Sequence, residues 1–326
     1  MVETWYFLLR GDHEHLARGE LRALLEVYDS SSTPQCYTMI CVAKTRREVA
    51  EKVARRAGFV REAGVLLGVE VITEARGEGF PDAPGLALRV DVFKNSCGRR
   101  DLEAILNRLR ERIRGLRLRG DAEYAGYVSD GYLFTARRVI KASGRSEAFE
   151  NRPFKRSIAL RPEVARALVN LAHLREGEVV LDPFAGTGTV LTEAWLMGIR
   201  GVGVEIDPVI ARGLRENIAY YGANAIPVYG DSSKTSLTNF DGVATDPPYG
   251  RGASTRGLGA RAVYEFFLRF LAEYLPHGRF ASFLAPLRLE KYVLELASAY
   301  GLRVWGRYYH YVHSGLTRVV FAVRAV

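Results

Sequence analysis

The hydrophobic and polar positions fall into two stretches with different rhythms. Near the start, residues 4–10 (TWYFLLR) form an apolar run expected as a strand. From His15 to Tyr28, Leu16, Leu21, Leu24 and Leu25 recur on one helical face. A strand over Cys36–Ala43 is followed by a helix from about Thr45, whose hydroxyl could cap it, to Ala57. Val65–Ile72 and Leu86–Phe93 are expected as strands. The Pro- and Gly-rich segment Gly77–Gly85 is expected as the loop between them. Asp101–Arg114 is then expected as a helix and Tyr132–Ile140 as a strand. Strands and helices mixed in this way, with no phosphate-binding loop, point to an α+β domain.

The polar segment Ser143–Lys155 (SGRSEAFENRPFK) is expected as a linker, giving an N-terminal domain over 1–145, a linker over 146–158 and a C-terminal domain over 159–326. Beyond it the rhythm changes. Pro162 suits the first turn of a helix reaching about His173. Compact apolar runs then alternate with helices: Glu178–Asp182, Gly201–Ile206, Ile226–Gly230, Gly242–Asp246 and Arg279–Ala285. That is a βαβ rhythm, and it predicts an α/β fold with a parallel sheet. The last stretch, RVWGRYYHYVHSGLTRVVFAV, is expected as an antiparallel hairpin turning at Ser314-Gly315 on the sheet edge.

Composition narrows the class. Apolar residues make up 48% of the 326 and charged residues 25%, which excludes disordered and collagen-like chains. The three cysteines (Cys36, Cys41, Cys97) form no CxxC and no zinc spacing, and the histidines show no metal spacing, so a reduced, metal-free, cytoplasmic protein is expected. No apolar run is long enough to span a membrane, and the N-terminus lacks the pattern of a signal peptide. The net charge is +9, carried by 46 basic residues against 37 acids. Arg99 to Arg119 holds eight Arg against three acids. Arg forks grip phosphate and stack on bases, so this segment suits nucleic acid. An Arg-laced solvated helix of a heat-adapted protein explains it equally well.

Four strand tips carry the candidate chemistry. The first is Val179-Val-Leu-Asp182-Pro183-Phe184-Ala185-Gly186-Thr187-Gly188, an apolar strand entering a glycine turn and then a helix. Such a turn lets a ligand approach the backbone closely at the open end of a parallel strand. It lacks the Lys of a phosphate loop and the third Gly of a dinucleotide fingerprint. Glu205-Ile206 ends the next strand, where a carboxylate can accept both ribose hydroxyl protons. Asp231, after Gly230, ends the third and can accept an adenine amino group. Together these three describe an adenosine site with no phosphate grip.

The fourth tip, Asp246-Pro247-Pro248-Tyr249-Gly250, sets the class. Two prolines remove backbone donors and leave outward carbonyls. The Asp246 carboxylate and the Pro247 carbonyl are then pure acceptors suited to a substrate –NH2, and Tyr249 offers a flat face for a base. Arg251 to Arg261, with three Arg and three Gly, reads as a loop able to close over RNA or as a solvated connection.

These four motifs, in this order, resemble the class I S-adenosyl-L-methionine-dependent methyltransferases that modify exocyclic amines of bases. The resemblance spans about residues 150–326 and implies a Rossmann-like sheet with a C-terminal antiparallel hairpin. It implies that Asp182 and the turn through Gly188 hold the methionine part, Glu205 the ribose and Asp231 the adenine. Asn151-Arg-Pro-Phe154 resembles the extra motif that precedes the glycine turn in this group, which implies a contact of Phe154 with the methionine end. Lys155-Arg156 stand where that group usually has His-Pro.

Within the class, the chain is most similar to the archaeal tRNA guanine-N2 methyltransferases acting at tRNA position 10. The shared features are RPF, DPPYGR and the phrase His313-Ser-Gly-Leu-Thr-Arg318. That resemblance implies an RNA-binding N-terminal half made of a ferredoxin-like segment and a THUMP domain. It implies transfer of one or two methyl groups to a tRNA guanine N2 by a monomer, with Asp246, Pro247, Pro248 and Tyr249 at the reacting amine. RNA contacts are expected from Arg99, Arg100, Arg108, Arg112, Arg251 and Arg256. The alternatives are a DNA adenine-N6 or cytosine-N4 methyltransferase, a ribosomal RNA guanine-N2 enzyme, and a non-catalytic RNA-binding protein that keeps the fold.

Overall fold

In a computed structural model, which describes all residues except 94–96, 143–150, 158, 235–237, 250–258 and 314 and the side chain of Asp12, the two rhythms become two sheets. The first sheet holds β1 (Val2–Leu9), β2 (Gln35–Cys36), β3 (Ile40–Arg46), β4 (Val60–Val71), β5 (Ala87–Val92), β6 (Arg117–Leu118), β7 (Tyr124–Ser129) and β8 (Tyr132–Lys141). Its order is β2-β3-β1-β4-β8-β7-β5-β6, antiparallel except where β5 meets β6 and β7. β6 and β7 lie outside the sequence expectations. β7 is buried along nearly its whole length, so it shows no apolar–polar alternation to read. On one face of this sheet Glu62 is buried and fully partnered. It accepts from the Tyr6 hydroxyl at 2.9 Å, the Tyr127 hydroxyl, Arg138 Nε at 2.9 Å and Arg89 Nη1 at 3.3 Å. A buried carboxylate persists only when paired in this way.

Two sequence expectations are corrected here. Thr45 does not cap a helix: β3 runs through it to Arg46, the helix begins at Arg47, and the Thr45 hydroxyl donates to Asp29 Oδ2 at 2.7 Å. The cysteines are not all reduced: Cys36 and Cys41 form a disulfide. The β2–β3 hairpin places the two directly opposite each other. A linear spacing of five shows no such pairing until the hairpin closes. Intracellular proteins of heat-adapted organisms do carry disulfides. Cys97 is free.

The second sheet holds β9 (Val179–Asp182), β10 (Arg200–Glu205), β11 (Ala225–Tyr229), β12 (Gly242–Thr245), β13 (Phe280–Pro286), β14 (Leu302–His313) and β15 (Leu316–Ala325). Its order is β11-β10-β9-β12-β13-β15-β14. The first five strands run parallel, and β15 and β14 add antiparallel at the far edge, as expected for the last hairpin. The chain winds outward from β9 to β11, then returns to the other side of β9 for β12. The carboxyl ends of β9 and β12 therefore flank a topological switch point, where open α/β sheets bind ligands.

The inner strands β9, β12 and β13 are buried along nearly their whole length, and helices pack against them. The helix Ala260–Tyr274 buries Tyr264, Phe267, Leu268 and Leu271 in a cluster with Phe283 of β13 and Phe321 of β15. Each such side chain contributes roughly 1.5–3 kcal/mol by leaving water. Pro162 opens the helix Pro162–Leu171, as its fixed φ and missing N–H favour.

The chain divides into two compact units. One comprises Met1–Glu14, Tyr28–Arg55 and Val60–Ser143, and the other His15–Val27, Arg56–Phe59 and Gly144–Val326. The core of the first predicted helix thus belongs with the C-terminal sheet. Within that second unit Glu20, fully buried, accepts from the Gly58 and Phe59 amides at 2.8 Å each and from Asn170 Nδ2 at 2.7 Å. Gly19 lies so close to Tyr308 that a Cβ would sit 2.2 Å from its ring.

Candidate active site

All four tips expected from the sequence lie at the carboxyl edge of the second sheet, on β9, β10, β11 and β12. After β9 the backbone turns through Gly186 at φ +52° and Gly188 at φ +86° into the helix Thr189–Leu196. Side chains other than glycine rarely adopt these angles. A Cβ at Gly186 would meet nothing within 4 Å, so the turn is open on that side. A Cβ at Gly188 would strike Leu214 at 2.6 Å. The first glycine thus opens space for a ligand and the second permits close packing.

Asp182 is buried at the base of this turn. Its Oδ1 accepts from the Thr245 hydroxyl at 2.6 Å and from the Phe184 amide at 3.2 Å. Burial pushes its carboxyl up to about 7, and the negative charges of Asp246 and Glu205 add to the rise. Thr245 is the last residue of β12, so its bond to Asp182 ties the first tip to the fourth across the switch point.

Glu205 is held by two amides, Gly186 N–H to Oε2 at 3.0 Å and Asp207 N–H to Oε1 at 2.8 Å. It therefore shapes the glycine turn as well as presenting a carboxylate beside it. Burial raises its pKa, against these two bonds. Asp231 Oδ1 accepts from the Ser233 amide at 3.0 Å and the Ser233 hydroxyl at 2.7 Å, a local turn that orients the side chain.

The linker motif reaches the same turn through a residue that sequence reasoning missed. Asn217 is buried on the helix Pro208–Tyr221. Its Oδ1 accepts from the Phe154 amide at 3.0 Å, and its Nδ2 donates to the Phe154 carbonyl at 3.0 Å and the Thr187 carbonyl at 2.9 Å. One side chain thus clamps Phe154 to the glycine turn. Gly213, one helical turn earlier, makes room: a Cβ there would lie 2.2 Å from the Phe154 ring. No motif marked Asn217, because its partners are 63 and 30 residues away.

At the fourth tip, Asp246 Oδ2 accepts from Arg318 Nη1 at 3.0 Å, and Arg318 Nη1 also donates to the Tyr249 hydroxyl at 3.2 Å. Asp246 Oδ1 is buried and, among the described residues, has no hydrogen-bond partner. Burial pushes the Asp246 carboxyl up to about 6, with Arg318 holding it down. Tyr249 and Phe184, which follow neighbouring strand tips, both pack against the apolar cluster around Phe267 and Phe283. The Tyr249 carbonyl accepts from Arg288 Nη2 at 2.9 Å. Pro247 is buried and Pro248 half-buried.

The expected RNA contacts divide. Arg99 and Arg100 are exposed at the start of the helix Arg99–Arg112. Arg108 and Arg112 are turned inward. Arg108 donates to the Ala75 and Ile72 carbonyls at 2.8 Å each, and Arg112 to those of Gly77 and Phe80, so both brace the 72–80 loop. Arg251 and Arg256 lie outside the described residues. Among the described residues no cluster of potential metal ligands occurs, and no helix is long and apolar enough to cross a membrane.

A seven-stranded sheet with an antiparallel final pair, a glycine turn after its first strand in the chain and acids on the next two tips together define a class I methyltransferase. The family of RMKL-like methyltransferase domains matches residues 150–310. The fold is similar to that of TrmN from Thermus thermophilus, with a TM-score of 0.58 over 99% of this chain and 100% of that one, at 19% identity. A tRNA (guanine(10)-N2)-dimethyltransferase of Pyrococcus abyssi is 30% identical, covering 98% of this chain and 99% of the relative. A second, from Methanothermobacter thermautotrophicus, is 28% identical over 98% of each. The chain belongs to the family of tRNA (guanine(10)-N2)-dimethyltransferases.

Proposed function

We propose that the protein transfers methyl groups from S-adenosyl-L-methionine to the exocyclic N2 amine of a tRNA guanosine at position 10, once or twice. The observation that carries this reading is the bare, buried Asp246 Oδ1 beside Tyr249, on the strand tip next to an open glycine turn.

The residues at the turn fit the cofactor. The space at Gly186 admits a ligand against the backbone, and Asp182, Glu205 and Asp231 are acceptors suited to its ammonium, ribose hydroxyls and adenine amine. When bound, S-adenosyl-L-methionine supplies an electrophilic sulfonium methyl. Pro183, Ala185, Thr187 and Ile206 complete the turn and the second tip, and Asn217 ties the Phe154 backbone to Thr187 of that turn.

The chain's own work is on the acceptor. The guanine N2 lone pair is delocalised into its ring, so the amine is a weak nucleophile. Asp246 Oδ1 and the Pro247 carbonyl accept its N–H bonds, favouring a pyramidal nitrogen whose lone pair is directed at the methyl. Tyr249 receives the face of the unstacked base. Such placement can contribute up to roughly 7–11 kcal/mol to a bimolecular step. The positive charge growing on nitrogen is stabilised by the Asp246 carboxylate. The methylated amine is acidic and releases its proton without a stronger base.

In this reading the first unit, drawn from residues 1–145, is a ferredoxin-like segment with a THUMP domain that holds the tRNA, and the second unit, built around 159–326, is the catalytic one. Exposed Arg99 and Arg100, with Arg251 and Arg256, contact its phosphates. In this reading the enzyme works in the cytoplasm, with its substrate, and as a monomer.

The test is label transfer from tritiated cofactor to unmodified tRNA, followed by nucleoside mass spectrometry and mapping. Methylated guanosine at position 10 is the expected product. Label only in DNA or ribosomal RNA, or no label in any nucleic acid, overturns the reading.

A further inference from the structure

At the fourth tip, Arg318 reaches from β15 to β12, two strands away in the sheet, with β13 between them. A single nitrogen, Nη1, donates both to Asp246 Oδ2 and to the Tyr249 hydroxyl. The guanidinium is largely buried, so the contact is shielded from solvent screening. Arg288 holds the opposite end of Tyr249, at its backbone carbonyl. The two oxygens of Asp246 are thus unequal. Oδ2 has a charged partner, while Oδ1 is buried and unpartnered among the described residues.

We infer that Arg318 is the positioning residue of the transfer: by anchoring Asp246 Oδ2 and the Tyr249 hydroxyl together, it commits Oδ1 to the substrate amine and fixes the stacking ring beside it. This rests on the proposed amine methylation. A carboxylate without such an anchor rotates about its Cβ–Cγ bond and presents either oxygen. Anchored, it has one acceptor in one place, and the base plane is set by the same cation.

Arg318 also determines how much of Asp246 is ionised. The groups that interact with Asp246 are Asp182 on β9, Tyr249 on its own loop, Tyr264 on the helix Ala260–Tyr274 and Arg318 on β15, while Arg288 in the short turn Leu287–Leu289 acts on Tyr249 and Tyr264. Of these, Arg318 is the one cation bonded to the carboxyl among the described residues. Burial opposes ionisation, and removing the cation leaves that opposition unrelieved. The ionised acceptor then forms only at higher pH.

Three variants test this: Arg318→Met, Arg318→Lys and Asp246→Asn. Arg318→Met should bind S-adenosylhomocysteine within about threefold of wild type by calorimetry. Its single-turnover transfer to tRNA should fall on the order of a hundredfold at pH 7. The acid limb of its rate profile should move to higher pH, so that part of the loss is regained toward pH 9. Arg318→Lys should recover part of the rate and return the limb toward wild type, since a lysine restores the charge without the fork.

The carboxyl ¹³C resonance of Asp246, assigned by its absence in Asp246→Asn, should titrate at higher pH in Arg318→Met than in wild type. The inference is overturned if Asp246 titrates at the same pH in both proteins, or if the rate profile of Arg318→Met runs parallel to that of wild type. A wild-type protein that methylates no tRNA overturns the proposed reaction instead. The carboxyl titration needs no substrate and still decides whether Arg318 sets the state of Asp246.

Discussion

Replacing Asn217 by Asp changes one atom group and tests how the linker motif is held. In the wild type, Nδ2 donates to the carbonyls of Phe154 and Thr187 while Oδ1 accepts from the Phe154 amide. Asp keeps the shape and the acceptor but replaces both donated bonds with a carboxylate oxygen facing two carbonyl oxygens. Each lost bond contributes about 0.5–1.5 kcal/mol, and each buried carbonyl left unpaired costs about 1–3 kcal/mol. The side chain is buried, so solvent relieves little of this.

The expected loss for Asn217→Asp at pH 8 is roughly 2–4 kcal/mol of unfolding free energy. Because the clamp fixes the glycine turn, cofactor affinity should fall about tenfold, equivalent to ~1.4 kcal/mol. Asn217→Ala, which removes the donors but adds no charge, should lose less. Acidification should narrow the gap, since a protonated Asp regains one donor. Chemical denaturation at pH 8 and pH 5.5, with calorimetric titration of S-adenosylhomocysteine, reads both quantities. If Asn217→Asp equals wild type at pH 8, or falls further below it at pH 5.5, the three bonds do not hold the motif.

Further expectations concern other sites. Asp246→Asn should lower transfer by about 10²–10³-fold while cofactor affinity stays within a fewfold; near-normal transfer would remove Asp246 from the site. Since burial pushes Asp182 up to about 7, it is partly protonated at neutral pH, and a bound ammonium would draw off that proton. Cofactor binding should therefore release protons near pH 6.5 and tighten as pH rises through 7, measured by calorimetry in buffers of different ionisation enthalpy. No proton release would contradict this. Gly213→Ala should cost roughly 1–3 kcal/mol by driving a Cβ into Phe154, and weaken cofactor binding with it. Reducing Cys36–Cys41 removes at most about 2 kcal/mol of stabilisation, given so short a loop. It should lower the melting temperature and leave methyl transfer unchanged.

The amino-acid sequence alone determined the class of site, because its signals are local. Strand, tip residue and following turn are consecutive in DPFAGTG, GVEID, GD and DPPY, so the order of chemistry along the sheet edge could be read directly. The α/β rhythm and the final hairpin were legible for the same reason, as apolar runs and turn residues within single segments. The tertiary structure decided what each of these groups is bonded to. Arg318 meets Asp246 across 72 residues, and Asn217 meets Phe154 across 63. Both are pairings by sheet order and helix packing, which leave no mark on the linear spacing. Folding likewise gave Arg108 and Arg112 carbonyl partners in the 72–80 loop, and made a disulfide of two cysteines that a hairpin brought face to face. A charge or a thiol in a sequence states what it can bond. Only the closed fold settles which partner lies within reach, because hydrogen bonds and ion pairs act over a few ångströms while the chain brings distant residues together.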